Sequence, residues 1–78
     1  MNESVYYSVD LLHEAIQKNS RITFRYFDYD LNGARRYRPG LYAASPYALC
    51  WQDENYYLIA HSERHGLTHY RVDKMASI

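Results

Sequence analysis

A mainly β domain, about five short strands curled into a small barrel behind one N-terminal α-helix, is the fold class this sequence predicts. Three observations carry that expectation. The apolar period changes from 3.6 to 2 just after Asn19. Beyond that point, short strand-like runs follow one another at close spacing, joined by polar turns. Aromatic side chains also dominate the apolar content, with ten Tyr, two Phe and one Trp. Tyr suits thin, half-buried sheets because its ring packs while its hydroxyl finds a partner or water.

The helix is expected over about residues 8–19. Ser8 is a candidate N-cap, and Asp10 in the first turn favours the helix dipole. Leu12, Ala15 and Ile16 then fall at i, i+3 and i+4 and form an apolar stripe, which Asn19-Ser20 ends. Met1 to Tyr7 shows no clear period, and the Tyr6-Tyr7 pair is a candidate cover for an apolar edge.

The barrel is expected over about residues 21–73. Ile22, Phe24 and Tyr26 alternate with Arg21, Thr23 and Arg25, as a half-buried strand requires. Asp30-Leu31-Asn32-Gly33 has turn chemistry, and Ala34 to Arg38 is a candidate hairpin return. Pro39-Gly40 interrupts it, leaving an edge strand or a loop as alternatives. Leu41–Ala44 and Tyr47–Trp51 read as two strands separated by a kink at Ser45-Pro46. Asp53-Glu54-Asn55 turns the chain into the apolar strand Tyr56–His61, Ser62–Gly66 turns it again, and Thr68–Val72 is the last strand. Leu58, Ile59, Val72 and Phe24 are the expected core. Closure into a barrel removes exposed strand edges.

Bulk properties narrow the function. Seventy-eight residues make one domain. The formal net charge is zero, so any affinity for a polyanion must come from a local cluster. A single cysteine, Cys50, excludes an internal disulfide and fits a reducing compartment. No apolar run approaches the ~20 residues that span a bilayer, and no signal-peptide pattern opens the chain. The cytoplasm is the expected location, and no membrane partner is expected.

Catalytic and metal motifs find little support. His61 and His65 stand four apart with Glu63 between them, but on a turn rather than on the helix a zinc pair needs; His13-Glu14 lacks a second histidine. Cys50 lies between Leu49 and Trp51, where a buried, inert thiol is expected. Ser45 precedes Pro46 without the elbow of a catalytic serine, and Gly33, Gly40 and Gly66 stand alone rather than in a phosphate-cradling loop. The expectation is a binding module with no enzyme activity, no metal and no cofactor. What remains is a basic and aromatic mixture: Arg35, Arg36 and Arg38 around Tyr37, and His69-Tyr70-Arg71. Arg offers forked donors to phosphate, and Tyr or His offers a flat surface to a base.

Several segments taken in order are more specific than any one of them. Ala15-Ile16, Ile22-Thr23-Phe24-Arg25-Tyr26, Ser45-Pro46-Tyr47-Ala48-Leu49, Asn55-Tyr56-Tyr57-Leu58-Ile59-Ala60 and Tyr70-Arg71-Val72-Asp73-Lys74-Met75 together resemble a WYL domain from about residue 9 to 78. Tyr56 stands where the family's eponymous Trp usually does, as in the branch common in Firmicutes regulators. The resemblance implies an SH3-like, Sm-like small barrel behind a helix. It also implies a parent bacterial transcriptional regulator whose winged helix-turn-helix contacts DNA, with residues 1–78 as one excised domain. The implied role is sensing a short single-stranded nucleic acid or nucleotide-like ligand.

Carried onto this chain, the implied ligand face comprises Ser45, Tyr47, Tyr57, His69 and Arg71, with Arg25 as an auxiliary. Arg71 is expected to pair with phosphate, a tyrosine to stack, and Ser45 and His69 to add hydrogen bonds. Many family members carry an Arg four residues before the Pro of the Ser-Pro segment; Tyr42 stands there, and Arg38 is the nearest substitute. The rival reading is an interaction domain that makes the parent a homodimer, with Tyr6, Tyr7 and the edge near Pro39 as its surface.

Overall fold

The computed structural model describes residues 3–78, with side chains from Val5 onward. One helix, α1 (Glu3–Gln17), precedes the strands β1 (Ile22–Tyr29), β2 (Arg35–Tyr37), β3 (Tyr42–Gln52), β4 (Asn55–Ser62) and β5 (Gly66–Arg71). A single 3-10 turn over Val72–Lys74 leads into the two-residue strand β6 (Met75–Ala76). The strands form an antiparallel sheet in the order β2-β1-β3-β4-β5, curled into a half-barrel, and β6 pairs with the middle of β1. The expected class, mainly β behind one helix, is the one observed.

The helix begins earlier than the sequence predicts. Val5, Val9, Leu12 and Ile16 recur at i, i+4, i+7 and i+11, and all four pack into or against the core. Burying that longer stripe outweighs the cap signal of Ser8, which lies inside the helix and not at its start. Tyr6 and Tyr7 are exposed on α1. At the other end Asn19 takes a positive φ of 54°. The Asn19 amide then donates to the Ile16 carbonyl at 3.2 Å and the Ser20 amide to the Ala15 carbonyl at 2.9 Å. This double closure satisfies carbonyls that a helix end otherwise leaves bare.

Four aromatic rings fill the centre. Phe24, Tyr26, Tyr42 and Tyr70 contact one another with centroids 5.1–6.1 Å apart, and the pairs involving Tyr70 are edge-to-face. Leu12, Leu58 and Val72 are fully buried around them. The Tyr70 hydroxyl is buried with no hydrogen-bond partner among the described residues. The Tyr26 hydroxyl instead accepts the Arg71 backbone N–H at 3.0 Å. Burial is the main reason the Tyr26 phenol is held above its ordinary pKa.

Two turns show why the strands reverse where they do. Asp30 Oδ1 accepts the amides of Asn32 and Ala34, each at 2.9 Å, while Gly33 supplies a positive φ of 79°. Those two amides, with Arg36 on Oδ2 at 3.1 Å, hold the Asp30 carboxyl below the usual range. At the other hairpin, Gln52 faces Asn55, so Asp53-Glu54 is a two-residue turn with both φ positive, at 50° and 65°. That is the geometry that follows strand twist, although Gly is the residue it favours.

Three further expectations are corrected. Leu41–Ala44 and Tyr47–Trp51 are not separate strands: β3 runs unbroken through Ser45-Pro46. The register with β4 shifts between Pro46 and Ala48, so Tyr47 is an inserted bulge residue. Proline is tolerated at such a point because it has no N–H to give to the ladder. The last long strand ends at Arg71, and Val72 opens the 3-10 turn. Ile59 is only half-buried, because it lies on the face of β4 opposite Leu58 and Ala60.

Candidate ligand-binding face

Strand alternation divides the sheet into two faces. Leu58, Ala60 and Ser62 of β4 and Tyr70 of β5 point into the core and are buried. Tyr57, Ile59 and His61 therefore point outward, as do Leu67, His69 and Arg71. Directly paired residues share a face, and Tyr57 stands opposite Arg71, Ile59 opposite His69, and His61 opposite Leu67. On β3, Cys50 faces Tyr57, Ala48 faces Ile59 and Ser45 faces His61.

The bulge makes that alignment. Ser45 and Ala48 are three residues apart and would lie on opposite faces of a regular strand. The extra residue, Tyr47, returns the alternation to phase, and its own side chain is 56% exposed. The structure thus brings Ser45, Tyr57, His69 and Arg71 onto one outward face, with Tyr47 at the bulge beside it. The small side chains of Ala48 and Cys50 leave the β3 side of this face low. Cys50 is half-buried here, and not in the core as the sequence predicts.

Arg71 makes three side-chain hydrogen bonds on the face. Its Nε and Nη2 grip the Asp73 carboxylate at 3.0 and 2.7 Å, and Nη2 also donates to Asn55 Oδ1 at 3.2 Å. The pairing with Asp73 raises the Arg71 pKa further above its ordinary value, so the group is a fixed cation. Nη1 is the remaining donor edge. Asn55 was not among the expected site residues. Its place on the face follows from the Asn55-Tyr57-Ile59-His61 alternation, but its contact spans sixteen positions to Arg71.

The other two expected residues stand apart from this group. Arg38 makes a two-point pair with Asp28, at 2.9 and 3.1 Å, and lies 5.0 Å over the Tyr26 ring. Asp28 holds the Arg38 pKa above its ordinary value, and Tyr42 adds to the effect. Lys74 approaches the same carboxylate at 3.5 Å. Arg25 lies 4.9 Å over the Tyr37 ring, with its Nε buried and unbonded among the described residues. Both therefore brace β1 and its neighbours.

Among the described residues no cluster of His, Cys, Asp and Glu has a metal-ligating arrangement. No described helix is long and apolar enough to cross a membrane. The family model described as a WYL domain matches residues 8–78. No curated protein and no solved structure matches the chain.

Proposed function

We propose, from the premise that this chain belongs to the WYL domain family, a family of regulatory domains and not of known enzymes, that it is the ligand-sensing part of a transcriptional regulator. Its ligand is a short single-stranded nucleic acid or a nucleotide, received on the outward face of β3, β4 and β5. The observation that carries this reading is the Tyr57–Arg71 pair: a flat ring directly across from an immobilised guanidinium, on the side of the sheet away from the core. His69 and Ser45 supply hydrogen-bonding groups on the same face. Bases stack on aromatic rings whatever their sequence, at about 1–3 kcal/mol per base. In the parent regulator, a DNA-binding domain outside these residues would receive the signal, in the cytoplasm.

The test is fluorescence anisotropy of short labelled single-stranded DNA and RNA, titrated with the domain at two salt concentrations. Binding is expected to weaken with salt, and Tyr57→Ala and Arg71→Ala are each expected to lower affinity at least tenfold. Unchanged affinity in both variants would remove the face from consideration. The rival reading, self-association of the parent through this domain, draws on the exposure of Tyr6 and Tyr7, at 54% and 67%. Light scattering separates the two: a tight dimer indifferent to oligonucleotide favours assembly.

A further inference from the structure

The arginines of this protein are unevenly committed. Arg36, Arg38 and Arg71 each hold a carboxylate. Arg25 and Arg35 lie over the Tyr37 and Phe27 rings, at 4.9 and 4.5 Å. Arg21 and Arg64 have no ion pair, side-chain hydrogen bond or ring partner among the described residues. Both are exposed, and both line one cleft of about 220 Å³. Its other walls are Tyr42, Ala43, Ser62 and the turn residues Glu63 and His65, with Leu41 at the rim.

Resting on the reading above, we propose that this cleft, and not Arg71, receives a phosphate of the bound nucleotide or nucleic acid, between the Arg21 and Arg64 guanidinia. Two like charges around one hollow, neither held in an ion pair among the described residues, repel until an anion sits between them. Glu63 offsets one of the two, so the cleft keeps a net positive charge from its arginines. The turn backbone is not the anion's ligand, because Ser62 Oγ already accepts the amides of Arg64 and His65 at 3.1 and 2.9 Å. That internal closure instead fixes the turn that carries Arg64. The His65 ring stacks on Tyr42 at 6.3 Å and 29°, which gives the cleft a flat, ordered wall.

Size and position fit one phosphoryl group better than a whole ligand. The space lies below the ~300 Å³ at which pockets for drug-sized molecules begin. Ala43 lines the cleft and stands two residues from Ser45 on the same face of β3, so the hollow adjoins the Ser45 end of the outward face. A nucleotide with its phosphate here would lay its base along that face. Arg71, whose Nε and Nη2 are already taken by Asp73 and Asn55, would orient the sugar or base through Nη1.

The experiment is a nitrogen–proton correlation titration of the domain with inorganic phosphate, adenosine and adenosine 5′-monophosphate at low salt, repeated with Arg21→Ala, Arg64→Ala and Arg71→Ala. The monophosphate is expected to shift the amides of residues 62–65 as well as those of Tyr57 and His69, and to bind at least tenfold more tightly than adenosine. Arg21→Ala and Arg64→Ala should each erase that preference and leave the weak adenosine response intact. Loss of the preference in Arg71→Ala alone would overturn the phosphate assignment and leave the outward face standing as the ligand site. Shifts confined to residues 62–65, given equally by phosphate alone, would uphold the cleft and count against the face. No response to any of the three probes would overturn the cleft.

Discussion

Two tyrosines in the central ring cluster carry their hydroxyls into different settings, and that difference predicts opposite effects of one substitution. Tyr26→Phe removes the acceptor of the Arg71 amide, leaving a part-buried N–H without a partner. A cost of about 1–3 kcal/mol is expected. Tyr70→Phe removes a buried hydroxyl that has no partner among the described residues, so it should be neutral or stabilise by up to about 1 kcal/mol. Urea denaturation of both variants checks the pair, and equal losses would contradict it. Tyr26→Phe should also loosen Arg71, because the lost bond holds its backbone where β5 passes into the 3-10 turn. The Asp73 pairing joins residues only two apart, a local contact of the kind a sequence can suggest. The Asp28–Arg38 pair was not legible there, because hairpin register brings together residues ten apart. Arg38, a candidate phosphate group by composition, is thus committed to the fold.

Among the elements, the β3–β4 hairpin stores the clearest local strain. Glu54 holds a φ of 65°, where a side chain costs roughly 1–2 kcal/mol and glycine does not. Glu54→Gly is therefore expected to stabilise the protein by up to roughly 1 kcal/mol after the extra unfolded-state freedom of glycine is deducted. The urea midpoint should rise with an unchanged slope. Local pattern showed where most elements exist and failed where long-range pairing decides. The stripe of Val5, Val9, Leu12 and Ile16 extends the helix past the capping residue that local chemistry favours. Ser45-Pro46 reads as a break because proline ends most ladders, yet a bulge one residue later absorbs it. Strand β6 has two residues, too few to show a period, and exists only because β1 offers a partner. Strand alternation by itself places His69 and Arg71, both in β5, on one face. Adding Ser45 needed the β3 register.

For the whole molecule, the exposed carboxylates set the response to acid. Glu14, Asp28 and Asp30 all sit below their ordinary pKa values: Glu14 through Lys18, Asp28 through Arg38, and Asp30 through the Ala34 and Asn32 amides. A depressed folded-state pKa gives stability that is fully present above the unfolded value, about 3.9 for Asp and 4.3 for Glu, and is lost as pH falls through the folded value. Thermal melting is expected to be flat from neutral pH to about 5 with respect to these groups and to drop below about 4. Asp28→Asn should blunt that drop, since Asp28 ties β1 to Arg38 and approaches Lys74. The curl of the sheet, with β6 against β1, places the core on one side and the proposed ligand face on the other. Neither the free-arginine cleft nor the Arg71–Asn55 contact was visible in the linear sequence, because each joins segments that only the fold brings together.

Cys50 gives this architecture a practical consequence. The chain has one thiol, and that thiol lies on the outward face directly across from Tyr57. A maleimide dye could therefore be attached at a unique, stoichiometric position without introducing or removing a cysteine. Spectroscopic labelling would place its reporter beside the ring on which a base is proposed to stack.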